Sequence, residues 1–394
     1  MDERKLRESA VRGYRNGGSP KRIYQTLGRS KRWFYKWLKR SQKEGEDWAK
    51  GLSRKPHRMP KKTDESMEQA VVETRKSLVG NPYAQIGAFT ISWNMTQQGI
   101  KPPSIATINR ILKRNNLVAK RAKYQPKGIS YPSIKVASSN HLHQFDSLGP
   151  RYLKDDGRFY SANIIDALDH RCCVNPKRRQ NYMCLGSALM RSWQVLGIPT
   201  FLQMDNMLPM RGSNRHPHSF GLVVRLCLHL GIQPVFIPIH EPWRNGIVEH
   251  FQNVFDKSFF RSQKFDSFTH LVQKAQEFEI FHNHHHRYSP LGGKTPAESV
   301  TGNLRYLPND FKLPTRISIT PGLIHLVRFI RSNRILDIFG ERYRMPLDVV
   351  YEYVWATIDT ANGTLSIYHD NTLVHSFDYH IPKTAYDLSE FTMS

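Results

Sequence analysis

Residues 242–257 read PWRNGIVEHFQNVFDK, in which an Asn-Gly pair, Asn245 and Gly246, leads into a helical pattern carrying one acid, Glu249, in its first turn. At about 100° per residue, Val248, Phe251, Val254, Phe255 and Phe259 share one stripe, and Glu249 falls opposite them, in line with Asn245 and Asn253. The helix dipole favours an acid in the first turn of any soluble helix, and a carboxylate that does chemistry must also avoid the packed stripe. Periodicity alone leaves both readings open.

Working outward, two more acids end strand-like runs: FLQMDN (201–206) delivers Asp205, and HLHQFD (141–146) delivers Asp146. Around them, residues 142–147, 159–167 and 171–175 read as strands joined by turns short enough for an antiparallel meander. A helix over 183–196 has Leu185, Leu189, Trp193 and Leu196 at helical spacing, and Gly197 closes it. Then come a strand over 200–204, a helix over 220–230, a strand over 234–237 and the Glu249 helix. This order predicts an α/β mixed sheet covered by helices, with acids at strand ends, where such sheets expose their ligands. Asp166 and Asp169 compete with Asp146 for the first position.

Transfer of a phosphodiester bond needs an activated attacking oxygen and a neutralised leaving oxygen, and a pair of divalent ions supplies both. Hard cations take oxygen ligands, so Asp and Glu are the residue types the chemistry requires. Three such acids side by side repel, and without cations they are expected to be poorly ordered or partly protonated.

RNGIVEHFQNVFDKSF, FLQMDN and HQFDSLG together resemble the three motifs of the DDE transposases of bacterial insertion sequences, which have a retroviral-integrase-type core. Asp146 follows Phe145, Asp205 precedes Asn206, and Glu249 follows Asn245 and Gly246, as in that family. FHNHHHRYSPLGGKTPAE (281–298) resembles the family's tail, and its histidines lack the partners that a metal site needs. The interval from Asp205 to Glu249 is longer than usual, with the excess assigned to a surface loop over 207–219, and Met207 replaces a common Gly. The resemblance implies an RNase H-like fold over 136–300 and two Mg²⁺ or Mn²⁺ ions held by Asp146, Asp205 and Glu249. It also implies cleavage at an element's ends followed by strand transfer to target DNA, by a homodimer or larger assembly. Arg244, Asn245 and Lys257, around the Glu249 helix, are candidates to meet DNA phosphates.

The net charge is +25, and residues 1–140 hold 31 Lys and Arg against 10 Asp and Glu, so the basic surplus is N-terminal and suits a polyanionic partner. Residues 1–47 read as a helix-turn-helix: Ser19-Pro20 starts one helix, and Ser30 caps SKRWFYKWLKR, which pairs Phe34 with Leu38 and exposes Lys31, Arg32, Lys36, Lys39 and Arg40. Residues 48–63 form a basic linker. Helices over 64–78, 83–98 and 104–115 make a second helix-turn-helix (64–122), with Ile105, Ile108, Ile111 and Leu112 buried and Thr107, Asn109, Arg110, Lys113 and Arg114 on other faces. An ordinary basic bundle is the alternative in both places.

Residues 314–394 are strand-rich, with turn pairs at Asn362-Gly363 and Asp370-Asn371, and predict a small five-stranded β-barrel whose first half is basic. The fold expectation is thus multidomain: N-terminal all-α units, a central α/β sheet and a C-terminal barrel. Four scattered cysteines indicate neither a zinc ribbon nor disulfides. No apolar run is long enough for a membrane span, so the expected location is the bacterial cytoplasm, at the nucleoid. Two rival functions share the same residues: a catalytically silent DNA-binding regulator, and a nuclease without strand transfer.

Overall fold

The protein is described from a computed structural model, over residues 3–43, 48–51, 63–81, 83–118, 130–212 and 218–388. Most of the expected linker, residues 52–62, lies outside them. The chain divides into two compact units, Met1–Asp64 and Glu65–Ser394.

In the first unit, α1 (Glu3–Arg15), α2 (Pro20–Thr26) and α3 (Lys31–Lys43) pack around Ala10, Val11, Phe34 and Leu38. Pro20 opens α2 with its φ preset, but Ser19 makes no capping bond through its side chain, contrary to expectation. Ser30 does cap: its hydroxyl accepts the Trp33 N–H at 3.2 Å. Burial of Phe34 and Leu38 turns Lys31, Arg32, Lys36 and Lys39 outward, while Arg40 is half-buried with its guanidinium 5.1 Å from the Trp37 ring.

The second unit begins with α4 (Glu65–Val79), α5 (Ala88–Gln97) and α6 (Ile105–Arg114), which bury Val71, Ile91, Met95, Ile108 and Ile111 between them. The middle helix starts later than expected because the residues before it serve as a tether. Tyr83 packs edge-on against Phe278 at 5.7 Å and accepts a 3.0 Å bond from Gln263, and Gln85 accepts the Arg287 N–H.

The meander is present as β1 (Leu142–Tyr152), β2 (Arg158–Asp166) and β3 (Cys172–Lys177). It is followed by α7 (Tyr182–Val195), β4 (Phe201–Met204), α8 (Leu208–Arg211), α9 (Leu222–His229) and β5 (Gln233–Phe236). Gly197 turns the chain out of α7 at φ +99°, against the Asn140 amide, where a side chain would collide. A 3₁₀ turn, Pro242–Asn245, leads into α10 (Gly246–Phe255), and α11 (Phe268–His285) completes the helices.

Alternation along the strands separates two apolar layers. Phe145, Ala162 and Ile164 face α7 and α9, packing with Trp193, Leu202 and Val223. Phe159, Ile165, Cys172 and Val174 face the other way, onto Val248, Phe251, Phe255 and Phe259 from the α10 segment and Leu271 and Phe278 of α11. The stripe expected on the Glu249 helix is therefore buried, apart from Val254, which is half-buried.

The last part of the chain overturns the barrel. It contains β6 (Arg316–Ser318), β7 (Leu323–Phe329), β8 (Ile335–Ile338), β9 (Glu341–Arg344), β10 (Tyr353–Asp359), β11 (Thr364–His369), β12 (Thr372–Asp378) and β13 (Ala385–Asp387). β7 adds to β5 in parallel, with Val235 opposite His325, and β10, β11 and β12 follow antiparallel. The result is one nine-stranded sheet in the order β12-β11-β10-β7-β5-β4-β1-β2-β3, flanked by two-stranded ribbons β13-β6 and β8-β9. Among the described residues no pairing closes β7 to β12 into a barrel. Ile324, Leu326, Val354 and Ile358 share the apolar layer of Phe145 and Trp193, so residues 314–388 have no separate core. Local alternation signals a strand but is silent about its partner, and here the partner is the open edge of β5.

Candidate active site

Gln144 of β1 stands opposite Gln203 of β4 in a parallel pair. Two residues further along each strand direction come Asp146 and Asp205, so side-chain alternation presents both acids on the same face of neighbouring segments. The glutamines bring in the third acid. Gln144 Oε1 accepts the first free N–H groups of α10, from Ile247 at 3.0 Å and Val248 at 3.1 Å. Gln203 Nε2 donates to the Arg244 carbonyl at 3.0 Å, and Asn245 Nδ2 donates to the Phe145 carbonyl at 2.9 Å. The turn before Glu249 is thereby fastened to both acid-bearing segments. One helical turn after Glu249, Gln252 Nε2 donates to Asp146 Oδ2 at 3.0 Å.

The three carboxyls are electrostatically unsettled. Burial, and then the charge of Asp146, push Asp205 up to about 6, against one compensating bond from the Met207 N–H. Burial also raises Asp146, opposed by bonds from the Ser147 N–H and Gln252. Glu249 is raised by burial and by Asp146. Both of the other acids thus sense the charge of Asp146.

Among the described residues no group of three or more His, Cys, Asp or Glu is close enough to hold a metal ion in this arrangement. The chemistry of the ligands nevertheless suits a hard divalent cation: the ligand types are oxygens, the carboxylates of Asp146 and Asp205 receive only two donors and one, and the buried Oε1 of Gln252 has no partner.

The rivals of Asp146 are fully employed elsewhere. Asp166, buried, accepts the N–H groups of Asn140, Leu168 and Asp169 and pairs with His143 at 3.5 Å. Asp169 pairs with Arg171 at 3.0 Å. In the histidine-rich turn, His282 is buried between Cys172 and Tyr288 and is pulled down to about 4, chiefly by burial, so it packs as a neutral core residue.

Several expected DNA contacts have structural partners. Asn245 is buried by the bonds described above, because it lies in the 3₁₀ turn and not on the helix face on which the wheel put it. Arg244 is half-buried, pairs with Glu241 at 2.9 Å and lies 4.0 Å from the Tyr131 ring. Thr107 shares a hydrogen bond with Ser104, whose hydroxyl caps α6, and Arg114 pairs with Glu68 at 2.9 Å. Lys257, Asn109, Arg110 and Lys113 are exposed. The expected surface loop after Asp205 is partly α8, which buries Met210, and residues 213–217 lie outside the described residues.

Sequence reasoning missed Gln144, Gln203 and Gln252. The first two stand two positions before an acid and the third stands three after one, spacings that put an amide on the acid's own face. It counted Arg328 among the basic residues of the expected barrel that could meet DNA, whereas on β7 Arg328 is buried and donates to Asn206 Oδ1 at 2.7 Å and to the Ile237 carbonyl at 3.1 Å.

Comparison with known proteins bears on this arrangement. A family of winged helix-turn-helix domains matches residues 7–69, and the integrase core domain family matches residues 230–296, which include Glu249. No curated protein matches the chain. The magnesium-bound catalytic core of HTLV-2 integrase, in its dimeric form, is 18% identical with a TM-score of 0.31, covering 41% of this chain and 97% of that one. The simian T-cell lymphotropic virus intasome, solved with PP2A regulatory subunit B56 gamma, gives 16%, 0.36, 76% and 94% for the same four quantities. The BIV integrase catalytic core gives 15%, 0.30, 40% and 92%.

The chain thus carries a match to winged helix-turn-helix domains ahead of a match to the integrase core domain.

Proposed function

We propose that this protein binds the ends of a mobile DNA element and cuts and joins DNA there, with Asp146, Asp205 and Glu249 as the catalytic carboxylates. The observation that carries this reading is that Gln144, Gln203 and Asn245 fasten the turn before Glu249 to the segments bearing Asp146 and Asp205, where burial and the charge of Asp146 raise the other two acids. Acids raised by burial together with a neighbouring like charge are candidates for a functional site. Two Mg²⁺ or Mn²⁺ ions, when bound, would supply a Lewis acid on each side of the scissile phosphate. Asp146 and Asp205 would hold the ions and Glu249 would complete one of the two sites. Gln252 orients Asp146 through its amide.

The N-terminal α3 presents Lys31, Arg32, Lys36 and Lys39 to the phosphate backbone of the element's end, and Asn109, Arg110 and Lys113 of α6 offer a second basic face. Lys257 is a further phosphate contact near the acids. Two ends must be paired, which requires at least two copies of the chain on DNA, and such a protein works at the nucleoid. Glu249→Gln preserves shape while removing the charge. It is expected to keep end binding in a gel-shift assay and to lose cleavage and joining by about 10³-fold or more. Unchanged cleavage in the variant would remove Glu249 from the mechanism, and nicking without joined product in the wild type would identify a nuclease.

A further inference from the structure

The added strands β7 and β10 reach both backbone segments that carry the late acids. Arg328 of β7 is 5% exposed, and its guanidinium donates to Asn206 Oδ1 at 2.7 Å, to the Ile237 carbonyl at 3.1 Å and to the Asp337 carbonyl at 3.2 Å. Asn206 in turn donates to the Ile237 carbonyl at 2.7 Å. The residue after Asp205 is therefore locked to the end of β5 through a buried cation. Burying a guanidinium is costly, and a fold tolerates it where the cation's hydrogen bonds return something.

Tyr353 of β10 performs a matching task on the other side. Its hydroxyl lies 2.8 Å from both carboxylate oxygens of Glu241 and accepts from Arg244 Nη2 at 3.0 Å, while the Tyr131 ring packs edge-on at 5.2 Å. Glu241 and Arg244 bracket the 3₁₀ turn that leads into Glu249. Arg328 and Tyr353 touch none of the three acids.

Resting on the reading of the acids as a metal site, we propose that Arg328 and Tyr353 are positioning residues. Through them, the C-terminal strands set the spacing of Asp205 and Glu249 and hence the affinity for the divalent cation. Removing a group that orients a metal ligand typically weakens metal binding about 10- to 100-fold.

The test uses the full chain with Mg²⁺ alone as the probe, and reads the thermal shift as Mg²⁺ is titrated. Cleavage of element-end DNA is followed in parallel, in Mg²⁺ and in Mn²⁺. Tyr353→Phe removes one hydroxyl and is expected to fold, with a Mg²⁺ midpoint raised about tenfold and activity partly restored by Mn²⁺. Arg328→Gln is expected to raise the midpoint further, and Arg328→Lys to recover part of the loss. If Arg328→Gln does not fold, Tyr353→Phe decides alone. Wild-type midpoints in folded variants would overturn the positioning role and leave the proposed chemistry standing. A wild-type protein with neither a Mg²⁺-dependent shift nor cleavage would overturn the metal site itself, and the positioning role with it.

Discussion

β1 and its neighbours carry buried acids toward both ends, and the two ends treat them oppositely. At one end Asp166 receives three backbone N–H bonds and the imidazole of His143; burial pushes its carboxyl up, but these donors outweigh that and leave it below the ordinary range. At the other end Asp205 receives one N–H, faces Asp146, and rises to about 6. The same residue type on the same sheet is held ionised where the protein supplies donors and is raised toward protonation where it withholds them.

Asparagine at each position should separate the two ends most sharply. Asp166→Asn removes the charge on which His143 and three N–H groups converge, and should cost about 3 kcal/mol in urea unfolding. Asp205→Asn should raise the melting temperature in EDTA by relieving repulsion with Asp146, while abolishing the shift on adding Mg²⁺. A stable Asp166→Asn protein, or a destabilised Asp205→Asn one, would erase the distinction.

The effect of pH is smaller and has a defined sign. The folded state holds the Asp205 proton more tightly than the unfolded chain, so this group's contribution to stability falls as pH rises from about 4 to about 6 and is constant above. Melting curves in EDTA should therefore show the advantage of Asp205→Asn growing over that window and levelling off, and the Mg²⁺ shift of the wild type fading below about pH 6. The mildest change, Lys36→Ala on α3, should leave both ends of β1 untouched. It is expected to lower DNA affinity and reduce the salt dependence of binding by about one unit of slope, measured by titration at several salt concentrations.

The elements of the core were legible because each has its own period: alternation in β1 and β2, helical spacing in α7 and a stripe in α10. The acids were legible as motifs, and Glu249 needed the resemblance because the wheel alone was neutral. What stayed hidden depends on partners distant in sequence. Nothing local to Arg328 shows that its cation ends beside Asn206, 122 positions earlier. Asn245 looked like a surface residue until the chain entered a 3₁₀ turn and moved it off the helix face. The alternating run at 323–329 gave a strand correctly and an architecture wrongly, since pairing with β5 is a long-range choice.

That pairing has a bearing on synthesis. A ribosome that has released residues through α11 has delivered all three acids, yet the outer edge of β5 still lacks its neighbour, and the layer around Trp193 lacks Ile324, Leu326 and Val354. A polypeptide cut short there would show bare backbone donors and acceptors beside uncovered apolar side chains, the combination that invites clumping. Messages interrupted late in the gene should therefore yield insoluble fragments and no shortened enzyme.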